Sequence, residues 1–355
     1  MKNGGVRHMI QELSKDEIKS LKGVAILFMI GCHLYNTLNY SNLYHPTITI
    51  GDTPLIYYIS FLFDICVPIY SFCTGYAMYL KRSLDFVENT KRILKFLKQY
   101  WIILMLTCIV GIITNNQEIP GTFSLFLGNL TTFNISYVGA WWYVQTYILL
   151  LVITPVVIKL IDKCAKRTLF FSLVVYFISF YFRIMNPFNS GYTTLDLIVR
   201  FIVLLGTCLF PFTVGMLFYK SQIISKLRSK IEKNNIMAFF IILICLILHN
   251  LIKNMIVAPF IAILFIFGFS LINFSKICRR CLIYFGNHST NLWLTHMQFY
   301  MIFTPHLVFC TQTVIGCFFI LLGLCLITSY FINFMNKIID IGLNRLKNIR
   351  LHMYK

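Results

Sequence analysis

The chain has 355 residues and a formal net charge of +19, and 58% of its residues are hydrophobic whereas only 12% are charged. This composition excludes a soluble domain built around one hydrophobic core and is typical of an integral membrane protein. The excess of positive charge also raises the possibility of nucleic-acid binding, and the positions of the cations decide it.

Apolar stretches long enough to cross a bilayer recur along the whole sequence. We predict an all-α, polytopic integral membrane protein in which residues 1–355 form a single domain. Its ten transmembrane helices are predicted at about 20–39, 55–80, 96–114, 141–158, 168–184, 197–219, 236–252, 255–273, 288–305 and 313–336. The longest outer connection, about 115–140, has room for a short interfacial helix such as Phe123 to Leu130.

The cations alternate between the connections of these predicted helices. Of the 31 Lys and Arg residues, 28 lie in the two terminal segments and in every second connection, and the other connections hold only Arg183, Arg200 and Lys253. This is the positive-inside pattern, which predicts an even number of spans with both termini in the cytoplasm. The basic charge is therefore explained by topology, and we expect no nucleic-acid partner.

The first predicted span begins with a cation and contains a histidine. Eleven residues separate Lys22 from His33, which corresponds to about 16 Å along a helix. If Lys22 marks the edge of the bilayer, His33 lies near its middle, where an ionisable group is costly and indicates a functional site.

Two more predicted spans carry ionisable groups at a similar depth. Asp64 lies ten positions inside the outer boundary marked by Pro54, in a helix that we expect Pro68 to kink. In the ninth span we expect Gly286 to precede the helix, so that His296 again lies at mid-depth. The sequence leaves open whether Asp64 orients the imidazole of His33 or pairs with Arg200.

The cysteines do not indicate a metal site. Most of the 12 lie singly in apolar spans, where Cys behaves as a small hydrophobic residue. The one C-x-x-C pair, Cys278 and Cys281, has no second pair in the sequence, so we expect no zinc and no other metal.

Several short motifs follow one another in an order that resembles a known family, the integral-membrane bacterial acyltransferases called acyltransferase 3. The motifs are Leu21-Lys22-Gly23-Val24-Ala25 leading to His33, Val67-Pro68-Ile69-Tyr70, Thr74-Gly75-Tyr76, Arg92-Ile93-Leu94-Lys95, Trp141-Trp142-Tyr143, Phe210 to Gly215, and Gly286 to His296. Each motif is short, and their shared order from residue 21 to residue 296 makes the resemblance specific. Lys22 and Lys95 stand where the family usually has Arg, which keeps the charge but loses bidentate binding of phosphate.

The resemblance implies transfer of an acyl group, most often acetyl from acetyl-coenzyme A, to a hydroxyl of a cell-surface polysaccharide or its lipid-linked precursor. It implies a multi-pass protein of the bacterial cytoplasmic membrane whose partners are membrane lipid, an acyl-coenzyme A donor and a glycan acceptor. We expect His33 to act as the base or acyl carrier, with Lys22 and Asp64 as further catalytic residues. We expect coenzyme A to be bound by Lys22, Arg92 and Lys95, and the acceptor by His296, Trp142, Tyr143 and Thr74.

Two other classes of membrane protein stay open at this point. A transporter or flippase for a lipid-linked sugar or small solute would also place His33, Asp64, Arg200 and His296 along a pathway, although the sequence shows no internal repeat of the kind that many transporters have. A glycan polymerase or ligase usually needs a large outer loop, and the outer connections here are short.

Overall fold

A computed structural model describes residues 12–185 and 193–353 of the chain. The described part is almost entirely helical, with one two-stranded hairpin, β1 (Thr49–Ile50) and β2 (Thr53–Pro54). The helices are α1 (Lys15–Tyr35), α2 (Leu55–Phe63), α3 (Cys66–Leu80), α4 (Phe86–Ile113), α5 (Phe123–Leu130), α6 (Trp142–Met185), α7 (Thr193–Lys220), α8 (Ile223–Lys230), α9 (Asn235–Leu251), α10 (Ala258–Ser270), α11 (Lys276–Met297), α12 (Pro305–Val308) and α13 (Val314–Met353). A π-helical turn, Gln298–Phe303, follows α11, and two 3₁₀ turns, Gly139–Trp141 and Met255–Val257, precede α6 and α10.

The helical membrane architecture predicted from composition is confirmed in its main features. Within the described residues, six helices are long and apolar enough to cross a membrane, and two shorter apolar helices accompany them. Every one of the ten predicted stretches overlaps a helix, and α5 has the bounds expected of the short interfacial helix. The count of ten spans and the cytoplasmic placement of the termini stay predictions.

Helix α6 covers two of the predicted spans. Its 44 residues include a single non-helical position at Cys164, with φ −156° and ψ 90°. The predicted segments 141–158 and 168–184 lie on either side of this kink, so α6 consists of two helices that join directly at Cys164.

The second predicted span is interrupted next to Asp64. Helix α2 ends at Phe63, and α3 begins at Cys66. Pro68 lies in the first turn of α3, where a backbone N–H would have no intrahelical partner, so the missing N–H of proline costs nothing there. Its ring would clash with the carbonyl of Asp64 four residues earlier in a continuous helix, and this interrupts the helix next to Asp64. The expected kink is thus present, and it falls one turn before the proline.

Helices α1 and α11 run parallel and touch through glycines. A Cβ built on Gly23 would lie 2.0 Å from the carbonyl oxygen of Leu282, and a Cβ built on Gly286 would lie 2.0 Å from that of Lys19. No side chain fits at these positions, so the two backbones are in contact, as small residues allow in membrane helix pairs.

The structure corrects the expected role of Gly286. Helix α11 begins at Lys276, with the hydroxyl of Ser275 accepting the N–H of Cys278, and Gly286 lies in its middle. The expectation of a helix start at Gly286 was wrong because glycine serves here for close packing rather than as a helix boundary.

A second pair, α3 and α7, is also parallel and also packs through glycines, with Tyr76 of α3 against Tyr219 of α7. A Cβ on Gly75 would lie 1.9 Å from the carbonyl oxygen of Phe212, and a Cβ on Gly215 would lie 2.1 Å from that of Phe72. Both glycines belong to the short motifs singled out in the sequence. In this fold they allow the two helix backbones to come into contact, and this contact determines the positions of the neighbouring side chains.

The glycine contact can be tested by adding one methyl group. We expect Gly286→Ala to lower the free energy of unfolding by about 1–3 kcal/mol, because overpacking forces the backbones of α1 and α11 apart. The measurement is thermal unfolding of the purified protein in detergent. Gly323→Ala is the matched control, since a Cβ on Gly323 meets nothing within 4 Å; equal stability of both variants would contradict the proposed contact.

Candidate functional site

Helix α1 carries His33 to the end of the helix opposite its capped start. Ser14 caps the N-terminus in a capping box with Glu17, and His33 lies in the last turn, two residues before the helix ends at Tyr35. Eighteen residues separate Lys15 from His33, or about 27 Å of helix. Because α1 ends at Tyr35 and not at residue 39, His33 lies closer to the end of the helix than the sequence predicted.

The parallel contact of α1 and α11 places two histidines opposite each other. His33 and His296 each lie ten residues beyond the paired glycines, Gly23 and Gly286. Nδ1 of His33 lies 2.7 Å from Nε2 of His296, and the ring planes are inclined by only 12°. The sequence placed both residues at a common depth, and the structure brings their rings into direct hydrogen-bond contact.

The hydrogen bonds around His296 determine which nitrogen of His33 is free. Nδ1 of His296 lies 2.7 Å from the carbonyl oxygen of Trp293, which can only accept, so this nitrogen donates. In a neutral His296 the other nitrogen, Nε2, must then accept, and Nδ1 of His33 donates to it. The Nε2 atom of neutral His33 is consequently left without a proton and is available as a base.

A third ring lies beside the two imidazoles. Tyr300 lies with its ring centroid 6.5 Å from that of His33 and 6.2 Å from that of His296. It belongs to the π-helical turn Gln298–Phe303, which begins two residues after His296. Such turns are rare and are frequent at functional sites, where they change the direction in which side chains point.

A cavity of about 70 Å³ surrounds the cation at the other end of this helix face. It is lined by Lys22, Tyr70, Thr74, Phe96, Tyr143, Tyr147, Ser289, Thr290 and Trp293. The structure thus brings together three residues singled out in the sequence, Lys22, Thr74 and Tyr143. Trp293 connects this cavity to the histidines, because its carbonyl accepts the hydrogen bond of His296.

The two cations of α4 differ in their surroundings. The guanidinium of Arg92 donates to Ser83 Oγ at 2.6 Å and to Asn89 Oδ1 at 2.7 Å, and it pairs with Glu88. Lys95 is exposed. Neither side chain lines the cavity at Lys22, so the structure does not bring the expected coenzyme A ligands into one cluster.

Trp142 and Tyr143 point into different cavities. The hydroxyl of Tyr143 lies 3.0 Å from Ser71 Oγ and faces the cavity of Lys22. Trp142 lines a second cavity of about 40 Å³, which also includes Asp64 and Arg183. The expected acceptor-binding residues therefore lie in three places: Thr74 and Tyr143 in the cavity of Lys22, Trp142 in the second cavity, and His296 against His33.

Asp64 has a partner that the sequence analysis did not consider. Its Oδ1 lies 2.7 Å from Nε2 of His249, and both side chains are buried. Asp64 neither orients His33 nor pairs with Arg200, which is exposed on α7. The physical reason is that the break between α2 and α3 turns the carboxylate towards α9, which supplies the imidazole.

His249, which the sequence analysis did not single out, carried the same signal as His33. His249 is an ionisable residue inside a predicted apolar span, and such residues are buried only with a partner. Its position near the end of the span made an interfacial location equally reasonable. Trp293, Ser289 and Tyr70 belong to the short motifs noted in the sequence, but their residue types gave no individual role, because aromatic and hydroxyl residues are common in membrane helices.

The arrangement suits proton transfer and anion binding. An imidazole with a free nitrogen can accept a proton from a hydroxyl, and a lysine in a cavity lined by hydroxyl groups can bind phosphate. Within the part of the chain that the structure describes, no group of three or more His, Cys, Asp or Glu side chains is placed to hold a metal ion.

Comparison with known proteins gives one match. A family model described as an acyltransferase domain matches residues 15–333, which include both histidines, both cavities and all the motifs noted in the sequence. This confirms the resemblance to the acyltransferase 3 family. Neither the search of curated proteins nor the search of solved structures returned a match.

The pairing of Asp64 can be tested by a double-mutant cycle. We expect Asp64→Ala and His249→Ala each to lower the free energy of unfolding by about 1–3 kcal/mol, because each leaves a buried polar group without its partner. The double variant should lose much less than the sum, whereas Asp64→Ala and Arg200→Ala should be additive. The measurement is chemical or thermal unfolding in detergent, and additivity at His249 would refute the pair.

Proposed function

Because the chain belongs to the acyltransferase 3 family, we propose that this membrane acyltransferase transfers acetyl from acetyl-coenzyme A to a hydroxyl of a cell-surface polysaccharide or its lipid-linked precursor. We place it in the bacterial cytoplasmic membrane, with the donor bound from the cytoplasm. The observation that carries the proposal is the hydrogen-bond chain from His33 through His296 to the carbonyl of Trp293.

The chain of hydrogen bonds prepares His33 for general base catalysis. A sugar hydroxyl is a poor nucleophile at neutral pH, and a positioned imidazole removes its proton as the oxygen attacks the thioester carbonyl. His296 holds the ring of His33 so that Nε2 carries the lone pair. It also stabilises the imidazolium that forms, since Nδ1–H of His33 keeps its acceptor throughout.

The proposed step balances without any further reagent. The acceptor oxygen forms a bond to the acetyl carbonyl carbon while Nε2 of His33 takes the hydroxyl proton. The bond between that carbon and the coenzyme A sulfur then breaks, and His33 returns the proton to the leaving thiolate. The products are the O-acetylated acceptor and free coenzyme A, and His33 is again neutral.

Lys22 is the proposed ligand of the donor phosphates. It lies about 16 Å from His33 along α1, a distance that the extended pantetheine arm of coenzyme A can bridge. The hydroxyls of Tyr70 and Thr74 in this cavity donate to the backbone carbonyls of Lys22 and Tyr70, so the charge of Lys22 is the group there that we assign to phosphate. Arg92 and Lys95 contribute positive charge on α4, and we assign them a weaker, longer-range part in attracting the nucleotide.

Burial of the histidines serves the proposed reaction in a second way. His296 is fully buried, and the rings of His33 and Tyr300 lie beside it. Water would compete with the glycan hydroxyl for the acetyl group, and a site closed by aromatic rings keeps it out.

The base assignment predicts different results for the two paired histidines, His33 of α1 and His296 of α11. We expect His33→Ala to lower kcat for acetyl transfer at least about 100-fold, because the base is lost. His296→Ala should lower kcat about tenfold, since His33 loses the acceptor that fixes its tautomer, and His296→Gln should recover part of this because its amide oxygen accepts the same hydrogen bond. The measurement is release of free coenzyme A by purified protein with a glycan acceptor.

His288→Ala is the matched control. His288 lies on the same helix and is also buried, but its ring is bound to Ser329 at 2.7 Å and does not reach the site. Full activity of a correctly folded His33→Ala variant would overturn the base assignment. Full activity of His296→Ala, with His33→Ala inactive, would remove the role of the second ring.

The donor assignment predicts a change in KM. We expect Lys22→Ala to raise KM for acetyl-coenzyme A about tenfold with a smaller change in kcat, because the lysine binds phosphate in the ground state and in the transition state alike. Lys22→Arg should restore binding. Lys226, an exposed lysine of α8 outside the cavity, gives the control Lys226→Ala; the same rise in KM for both alanine variants would show that only overall charge matters.

A further inference from the structure

We propose that the cavity between Asp64 and Arg183 is a subsite for an anionic sugar of the acceptor, one that carries a carboxylate or a phosphate group. This inference rests on the proposed function and adds to it the chemical class of the acceptor. The cavity holds about 40 Å³, room for about three groups of the size of water, and so takes one edge of a sugar rather than the whole ring.

The floor of the cavity offers a hydrogen-bond acceptor. Asp64 is only 7% exposed, and its Oδ1 is taken by Nε2 of His249. Its other oxygen, Oδ2, has no hydrogen bond to any described residue, and Asp64 lines the cavity. A buried carboxylate with a free oxygen at the base of a cavity binds sugar hydroxyls well, because these donate charge-assisted hydrogen bonds.

The walls are apolar rings. Trp142, Tyr176 and Phe180 line the cavity, and the hydroxyl of Tyr176 is already occupied, because it donates to the carbonyl oxygen of Ile256 at 2.8 Å. What these side chains present to the cavity is therefore mainly hydrocarbon, which packs against the C–H face of a sugar ring. Aromatic walls above a carboxylate are thus complementary to a sugar in shape and in polarity.

The rim carries a cation that is fixed in place. The guanidinium of Arg183 lies over the ring of Trp142, with Cζ 5.6 Å from the ring centroid. Arg183 is exposed at the end of α6, and the charge pattern assigns this end to the outer side of the membrane. An arginine held on an aromatic ring keeps its hydrogen-bond donors directed outward for a carboxylate or phosphate.

The position of this cavity suits an acceptor better than a donor. This cavity includes Met255 in the turn before α10, Pro259 at the start of α10 and the end of α6, whereas the donor cavity surrounds Lys22. The subsite binds a part of the glycan that does not react. The binding energy gained there positions the reacting hydroxyl, which lies elsewhere on the acceptor.

The test is binding of three small sugars to the purified full-length protein in nanodiscs of uncharged lipid, followed by ligand-detected NMR. The probes are methyl glucuronide, methyl glucoside 6-phosphate and methyl glucoside. We expect both anionic probes to bind about fivefold more tightly than the neutral one, and the tighter of the two identifies the anionic substituent. Arg183→Gln should abolish this preference, and Arg183→Lys should keep part of it.

Arg200→Gln is the matched control, since Arg200 is an exposed arginine of the neighbouring helix outside the cavity. Equal affinity for the three sugars, or a preference that survives Arg183→Gln, would overturn the subsite. Equal affinity for inorganic phosphate and for the sugar phosphate would also overturn the subsite, because that result would show a site that binds anions and does not recognise the sugar.

Binding is also measured with His33→Ala, which separates this inference from the proposed function. Retained binding in that variant supports the subsite, because His33 does not line the cavity. If the wild-type protein binds the anionic sugars but never releases coenzyme A, the subsite stands and the proposed reaction fails. If acetyl transfer proceeds without any preference for an anionic sugar, the reaction stands and the subsite fails.

Discussion

The backbone contact between α1 and α11 at Gly23 and Gly286 is the constraint on which the site depends. Two helices that touch through glycines have one register, because any sliding would bring side chains against a backbone carbonyl. In a parallel pair, residues at equal distances beyond the contact stay opposite each other, and His33 and His296 are both ten residues further along. The hydrogen bond between the two imidazoles is therefore a consequence of packing that lies about 15 Å away.

The same packing gives the histidines unequal roles. The carbonyl of Trp293, one turn before His296 on the same helix, takes the Nδ1 proton of His296, and this leaves Nε2 to accept from His33. The order of donors and acceptors runs in one direction and ends at a free nitrogen on α1. A helix carbonyl thus determines the protonation of a residue on another helix, with the buried imidazole between them.

The two cavities divide the interior according to the two substrates that the proposed reaction needs. One surrounds a cation on the side that the charge pattern assigns to the cytoplasm, and the other lies between Asp64 and Arg183 at the outer ends of the helices. Trp142 and Tyr143 are neighbours in sequence, yet successive residues of a helix point about 100° apart and so reach different cavities. Tyr143 lines the cavity of Lys22, and its hydroxyl lies 3.0 Å from Ser71 Oγ.

The sequence by itself determined the helical membrane class and the family, and it singled out Lys22, His33 and His296 as candidate site residues. These follow from local signals, since hydrophobic length, charge alternation and an ionisable residue in an apolar helix all act within one segment. The partner of Asp64, the packing role of Gly286 and the separation of Trp142 from Tyr143 were decided only by the tertiary structure. Each of these depends on which helix lies beside which and in what register, and that is set by contacts between residues such as Gly23 and Leu282 that are far apart in the chain.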